Sequence, residues 1–218
     1  MKFLYHIPSP SAISAARTYL QGYKNAIVDM GHTFRMYTAD DDLEQLLAEY
    51  NPDILITSLN QYYLRFIDPS VLKKHKKKNM KVFVNTPFWI SPMSKLRVNE
   101  APSLSENLDW INLIKSGDFG DYYYNVCEQD DYRMEGFEKG TGYKHHTILL
   151  AADKILAQKD ITEDYQFHAD ISFIGTYLPE RRAFMKKHVF PLSDNYDLRL
   201  FCQDLHLLDR GLNFTLKV

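Results

Sequence analysis

Two segments in the first half of the chain, Asp53-Ile54-Leu55-Ile56-Thr57-Ser58-Leu59 and Lys81-Val82-Phe83-Val84-Asn85, are apolar almost without a break. A strand with one wet face alternates apolar and polar residues, whereas a nearly continuous run needs cover on both faces, as in a parallel sheet sandwiched by helices. The stretches around these runs carry helical signals. Asn51-Pro52 ends a helix that opens at Ala39-Asp40-Asp41-Asp42 and runs through Tyr50. Its three acidic residues suit the positive helix end better than a metal. Asp68-Pro69 reads as an N-cap with proline at the first helical position, and that helix is predicted to end near Asn79.

The same alternation extends to both sides. Lys2 to His6 reads as the first strand, followed by the loop Pro8-Ser9-Pro10-Ser11 and a helical pattern from Ala12 to Met30, with Ile13, Ala16, Leu20, Ala26 and Ile27 on one face and Gly31 at the C-cap. Thr33 to Thr38 reads as a second strand. Beyond the fourth strand come a helix around Ser105 to Lys115, a fifth strand over Tyr122 to Cys127, a short helix or loop over 130–140 and a sixth strand over Thr147 to Leu150. Repeated β-α-β units with apolar central strands give an α/β fold, a Rossmann-like, doubly wound and mostly parallel sheet.

At 218 residues the chain has room for one large domain, or one domain and part of another, since domains cluster at about 100–150 residues. The polar stretch 157–169 reads as a linker between a first domain over 1–156 and a second α/β pattern over 170–218. That second pattern comprises a strand at Asp170 to Ile174, a helix from Pro179 to about Phe190, a strand at Tyr196 to Cys202 and a final helical segment from near Asp204. Two strands and two helices are too few for an independent α/β domain, so the second domain is read as incomplete.

Composition narrows the function. The hydrophobic share of 45% with nine Gly and nine Pro excludes a disordered chain, a collagen-like repeat and a coiled coil. A net charge of −2 and a pI near 6.4 argue against a dedicated nucleic-acid binder. Cys127 and Cys202 form no CxxC pair, so neither a disulfide scaffold nor a cysteine zinc site is expected, and a reducing, cytoplasmic setting fits best. No apolar run approaches the about 20 residues of a membrane helix, and the start of the chain lacks a signal-peptide pattern.

Motif searches find no P-loop, no G-x-G-x-x-G after a strand, no H-E-x-x-H and no G-x-S-x-G. His145-His146 precede the sixth strand and read as solvent-exposed edge residues more readily than as ligands. The run Lys73-Lys74-His75-Lys76-Lys77-Lys78 sits at a helix C-terminus, where a solvated, dipole-stabilised end is favoured over a phosphate site. A phosphate-receiver reading fails, because His6 and Asn60 stand where acidic residues would be required.

Topology says more than motifs. Open α/β sheets bind ligands beyond the carboxyl ends of their strands, where the strand order reverses. That rim holds His6 with Ser9 and Ser11, then Asn60, Gln61 and Tyr62, then Asn85, Thr86, Phe88 and Trp89, and finally Glu128, Asp130 and Asp131. Aromatic faces with amides and carboxylates suit a polyhydroxylated ligand, whose C–H faces lie on rings while its hydroxyls need partners. His6 is the rim residue that could act as a base near neutral pH, with a structural role the commoner one for a lone histidine. Asn60, Thr86, Trp89 and Glu128 are the candidate substrate contacts.

The stretch Asp170-Ile171-Ser172-Phe173-Ile174-Gly175-Thr176-Tyr177-Leu178-Pro179-Glu180-Arg181-Arg182 resembles the start of the second domain of CgeB-like (spore-maturation type) glycosyltransferases. Tyr196-Asp197-Leu198-Arg199-Leu200-Phe201, Leu207-Leu208-Asp209-Arg210-Gly211 and His146-Thr147-Ile148-Leu149-Leu150-Ala151-Ala152-Asp153 are also similar to that family. The resemblance is loose over 1–145 and more specific over 146–211. It implies a two-domain GT-B architecture with an acceptor-binding first domain and a second domain that binds a nucleotide-sugar. It further implies metal-independent transfer without a cofactor, the leaving diphosphate being held by backbone amides, helix dipoles and basic side chains. Carried over by position, Gly175 would let the backbone approach the donor and Arg181 or Arg182 would face its phosphates. As read, this chain supplies mainly the acceptor side and is expected to be inactive alone. The rival reading is a non-catalytic α/β binding or assembly module, with 170–218 as a subunit interface in a homo-oligomer.

Overall fold

A computed structural model describes residues 1–10, 15–76, 79–91, 103–149, 151, 153–157, 162, 165, 168–176, 183–203 and 216–217. They fall into two compact units, one up to residue 157 and the other from 162 onward.

The first unit is built on six parallel strands: β1 (Lys2–His6), β2 (Thr33–Tyr37), β3 (Ile54–Ser58), β4 (Lys81–Asn85), β5 (Tyr122–Asn125) and β6 (His145–Thr147). Their order is β2-β1-β3-β4-β5-β6, so the chain reverses direction across the sheet between β1 and β3. The expected Rossmann-like α/β fold is therefore present. The register is continuous across the middle, with Leu4 opposite Leu55 and Leu55 opposite Val82.

The apolar runs are covered on both faces. Leu4, Leu55, Val82, Val84 and Tyr123 point to one side, where they pack with Leu43, Leu46 and Leu47 of α2 (Leu43–Tyr50), Leu72 of α4 (Pro69–Lys76) and Ile114 of α5 (Leu108–Lys115). A single turn, α3 (Gln61–Leu64), precedes α4, and Asn60 caps it by accepting from the Tyr62 amide at 2.9 Å. Tyr5 and Ile56 point to the other side, onto Leu20, Tyr23 and Ile27 of α1 (Ala15–Asp29). Full burial of such side chains contributes about 1.5–3 kcal/mol each, which makes these strands the mechanical base of the unit. After α6 (Phe137–Thr141) and β6, the chain returns to α1. There Asp153, at the head of α7 (Lys154–Ala157), accepts from Asn25 at 2.6 Å, and Lys154 meets Asp29 at 2.7 Å.

Three expectations need correction. The sixth strand lies at His145–Thr147, not at Thr147–Leu150: Ile148 and Leu149 are exposed, while His145 is buried. His145 is thus no solvent-facing edge residue, and neither of its ring nitrogens has a hydrogen-bond partner among the described residues. Burial, then the neighbouring His146, lowers its pKa. The helix expected to run from the aspartates at 40–42 starts at Leu43, with Asp42 as its N-cap accepting from Gln45 at 2.7 Å.

In the lysine run, the described side chains are engaged at the helix end. Lys73 pairs with Asp118 at 2.9 Å, Lys74 with Glu44, and Lys76 donates to the carbonyls of Gly117 and Gly120 at 2.7 and 3.0 Å.

The second unit has a sheet of its own, β7 (Ile171–Thr176), β8 (Leu198–Gln203) and β9 (Leu216–Lys217). β7 and β8 are parallel, and the link between them carries a π-helical turn at Met185–Val189 and a 3₁₀ turn at Phe190–Asp194. Buried Met185, Leu198 and Leu200 form its small core. β9 pairs antiparallel with β8, a strand the sequence reading did not anticipate. The final helical segment expected from near Asp204 lies outside the described residues up to 215.

Candidate functional site

A cavity of about 410 Å³ opens at the carboxyl ends of the strands, on the α1 side of the point where strand order reverses. That is where the general rule for open α/β sheets puts a ligand, and the size falls within the about 300–1,000 Å³ usual for small-molecule sites. The strands supply Tyr5, His6, Thr57, Ser58, Asn85, Tyr124 and Asn125 to its floor, and α1 lays Tyr19 and Tyr23 across it. Asn60 and Tyr63 add a third side, brought there by the cap and turn of α3.

The tyrosines form a connected group. The rings of Tyr5 and Tyr23 lie 5.1 Å apart, and the Tyr124 hydroxyl is within hydrogen-bonding reach of Tyr23. Burial, reinforced by neighbouring phenols, raises the pKa of Tyr5, Tyr63 and Tyr124, so their hydroxyls stay protonated and able to donate. The amides differ in availability. Asn125 is already committed: it donates to the Thr86 carbonyl and accepts from the Val126 amide at 2.6 Å. Asn60 uses its oxygen as the helix cap, which leaves its NH₂ group.

The candidate site residues are only partly brought together. His6 and Asn60 line the cavity. Thr86, Trp89 and Glu128 are not among its lining residues. Thr86 is buried, its hydroxyl donating to the Tyr124 carbonyl at 3.2 Å, so it ties β4 to β5. Trp89 packs on Phe137 in a T-shaped pair 6.0 Å between centroids and fills the space that side chains at Gly136 and Gly140 would occupy. Gly175 lies within β7 opposite Cys202, while Arg181 and Arg182 lie outside the described residues.

The Trp89 contact gives a direct test. A Cβ on Gly140 would sit 2.2 Å from the indole Cη2 and 2.5 Å from Cζ2, but the ring it meets is only half-buried. Gly140→Ala is therefore expected to cost about 1–2 kcal/mol by urea unfolding, with a red shift of tryptophan emission as the indole moves outward.

His6 is held as a neutral ring. Its Nδ1 shares a 2.9 Å hydrogen bond with the Thr57 hydroxyl, and the ring stacks on Tyr37 and meets Tyr63 edge-on. Nε2 is buried with no hydrogen-bond partner among the described residues. Burial lowers its pKa to about 3, far from the near-neutral value that suits a general base. In this structure its surroundings favour a hydrogen-bonding role over proton abstraction.

The cavity's tyrosine wall escaped the sequence reading. Tyr19 and Tyr23 sit four apart on α1, a spacing that places both on one helix face, but nothing in sequence says that this face overhangs the strand ends. A second hollow, of about 510 Å³ beside α6, is lined by Glu135, Glu138, Lys139, Lys144 and His145 among others. Among the described residues no three metal-ligating side chains converge anywhere, and no described helix is long and apolar enough to cross a membrane. No family model matches the chain, and no curated protein or solved structure matches it either.

Proposed function

We propose that this chain is the acceptor-side part of a glycosyltransferase of the GT-B type, cytoplasmic, which moves a sugar from a nucleotide donor to a hydroxyl-bearing glycan, protein or small molecule. The observation that carries the reading is the cavity itself: five tyrosines and two available amides, Asn60 and Asn85, meet at the switch point of a parallel sheet. Phenol faces accommodate sugar C–H surfaces, and phenol and amide groups pair with sugar hydroxyls. The strand–turn pattern from Asp170 to Arg182 supports the donor half of the reading, with Gly175, Arg181 and Arg182 proposed to face the donor phosphates without a metal.

A non-catalytic sugar-binding module is the second reading, favoured by the neutral, enclosed state of His6, which leaves the described lining without a base poised near neutral pH. Incubation of the chain, and of any longer form, with radiolabelled UDP- and GDP-sugars and a panel of acceptors separates the two. Transfer by a longer form, with the short form binding acceptor only, is the expected result. Absence of transfer and of nucleotide-sugar binding by both forms would remove the enzyme reading.

A further inference from the structure

The described lining of the cavity contains no Asp, Glu, Lys or Arg. Its polar groups are phenols, amides, hydroxyls and one neutral imidazole, and its remaining surface is Ala16, Ile56, Phe88, Val126, Ile148 and Leu149. In a chain that is one quarter charged, a ligand-sized cavity with no charged wall residue sets a strong condition on its occupant. An ionised group taken into such a place loses its hydration and finds no counter-ion, a cost of several kcal/mol. A neutral hydroxyl loses much less and is repaid by any one donor or acceptor.

The unused polar groups fit that occupant. Tyr5, Tyr19 and Tyr63 have hydroxyls without a hydrogen-bond partner among the described residues, as does the Asn85 amide. Each phenol and amide can both donate and accept. A hydroxyl on the ligand has the same dual character, whereas a carboxylate or phosphate accepts only. We infer that the cavity selects an electrically neutral, polyhydroxylated ring, an unmodified saccharide unit, and turns away its acidic and phosphorylated counterparts. The diphosphate of a nucleotide-sugar therefore has no place in it. This inference rests on the acceptor-side reading for its biological sense, but its binding test does not depend on transfer.

Calorimetry or ligand-observed NMR on the full chain provides that test, with methyl glycosides of glucose, galactose, mannose and N-acetylglucosamine set against glucuronate, glucose 6-phosphate, UDP and uridine. At least one neutral glycoside is expected to bind at tens of millimolar or below, with its acidic counterpart at least tenfold weaker. Tyr63→Phe, which removes one of the unused hydroxyls and keeps the ring, is expected to weaken that binding by roughly threefold to tenfold, with the fold unchanged by circular dichroism. Preferential binding of the acid, the phosphate, UDP or uridine overturns the inference, as does failure of every neutral glycoside to bind. Binding of a neutral glycoside without transfer by any longer form would retain this selectivity and reject only the glycosyltransferase.

Discussion

Gly120→Ala is expected to destabilise the first unit by about 3 kcal/mol, at the upper end of what overpacking a core costs. A Cβ at this position would stand 2.6 Å from Cζ and 2.7 Å from the hydroxyl of Tyr123, and 2.7 Å from Cγ2 of Val84. Both neighbours are fully buried, and neither has anywhere to go. Tyr123 is also engaged: its hydroxyl accepts from the Gly120 amide at 3.0 Å, and its ring packs edge-on against Tyr143 at 5.0 Å. The loop cannot retreat either, because Lys76 holds the carbonyls of Gly117 and Gly120 from below. This distinguishes Gly120 from Gly140, whose obstacle is a half-buried indole.

Urea unfolding should show the midpoint falling with the slope unchanged, since native compactness is retained. The double variant Gly120→Ala with Tyr123→Leu should be less damaged than the sum of its single changes, because losing the ring removes the two contacts with Tyr123 and leaves only the one with Val84; neighbours in contact show coupling of this kind. Strict additivity would mean that the alanine acts through something other than Tyr123.

The same contrast explains how far sequence reasoning reaches here. β4 lies where an apolar run bounded by polar residues placed it, at Lys81–Asn85, because burial on both faces leaves a continuous signature. β6 does not, because its buried member is a histidine and its apolar neighbours Ile148 and Leu149 stand exposed. Hydrophobicity alone therefore shifted the strand by two residues. The position of the cavity follows from strand order, which β-α-β repetition makes legible. Its walls do not. Asn60 arrives because it caps a four-residue helix that begins three residues after β3, whereas Trp89 and Glu128, four and three residues beyond their strand ends, are carried off by loops whose paths depend on tertiary packing. The glycines at 136 and 140 carry little signal as a motif, and their meaning as a slot for an indole emerges only from the contact.

His6 gives the second large effect, in the dependence of stability on pH. Folding places the imidazole against Thr57, Tyr37 and Tyr63, with no charged group among these neighbours, and burial lowers its pKa from the ordinary 6.5 to about 3. The unfolded chain therefore binds a proton near pH 6.5 that the folded chain refuses until about pH 3. Across that window the unfolded state holds more protons, so stability rises with pH and falls on acidification. A full one-proton difference is worth about 1.4 kcal/mol per pH unit, so lowering the pH from about 6.5 to about 4.5 should remove about 2 to 3 kcal/mol through His6 alone. The contribution is complete above pH 6.5 and is lost progressively towards the folded pKa. His145, also buried and also shifted downward, acts in the same direction, which is why the wild-type slope by itself does not isolate His6. His6→Asn keeps a polar group facing Thr57 but does not titrate, and the difference between the two stability–pH profiles assigns the effect. The variant's curve should be flatter between pH 6.5 and 4.5 by roughly the amount given, measured by urea unfolding at each pH. Parallel curves for wild type and variant would show that His6 titrates normally, and would restore it as a group able to exchange a proton with whatever occupies the cavity.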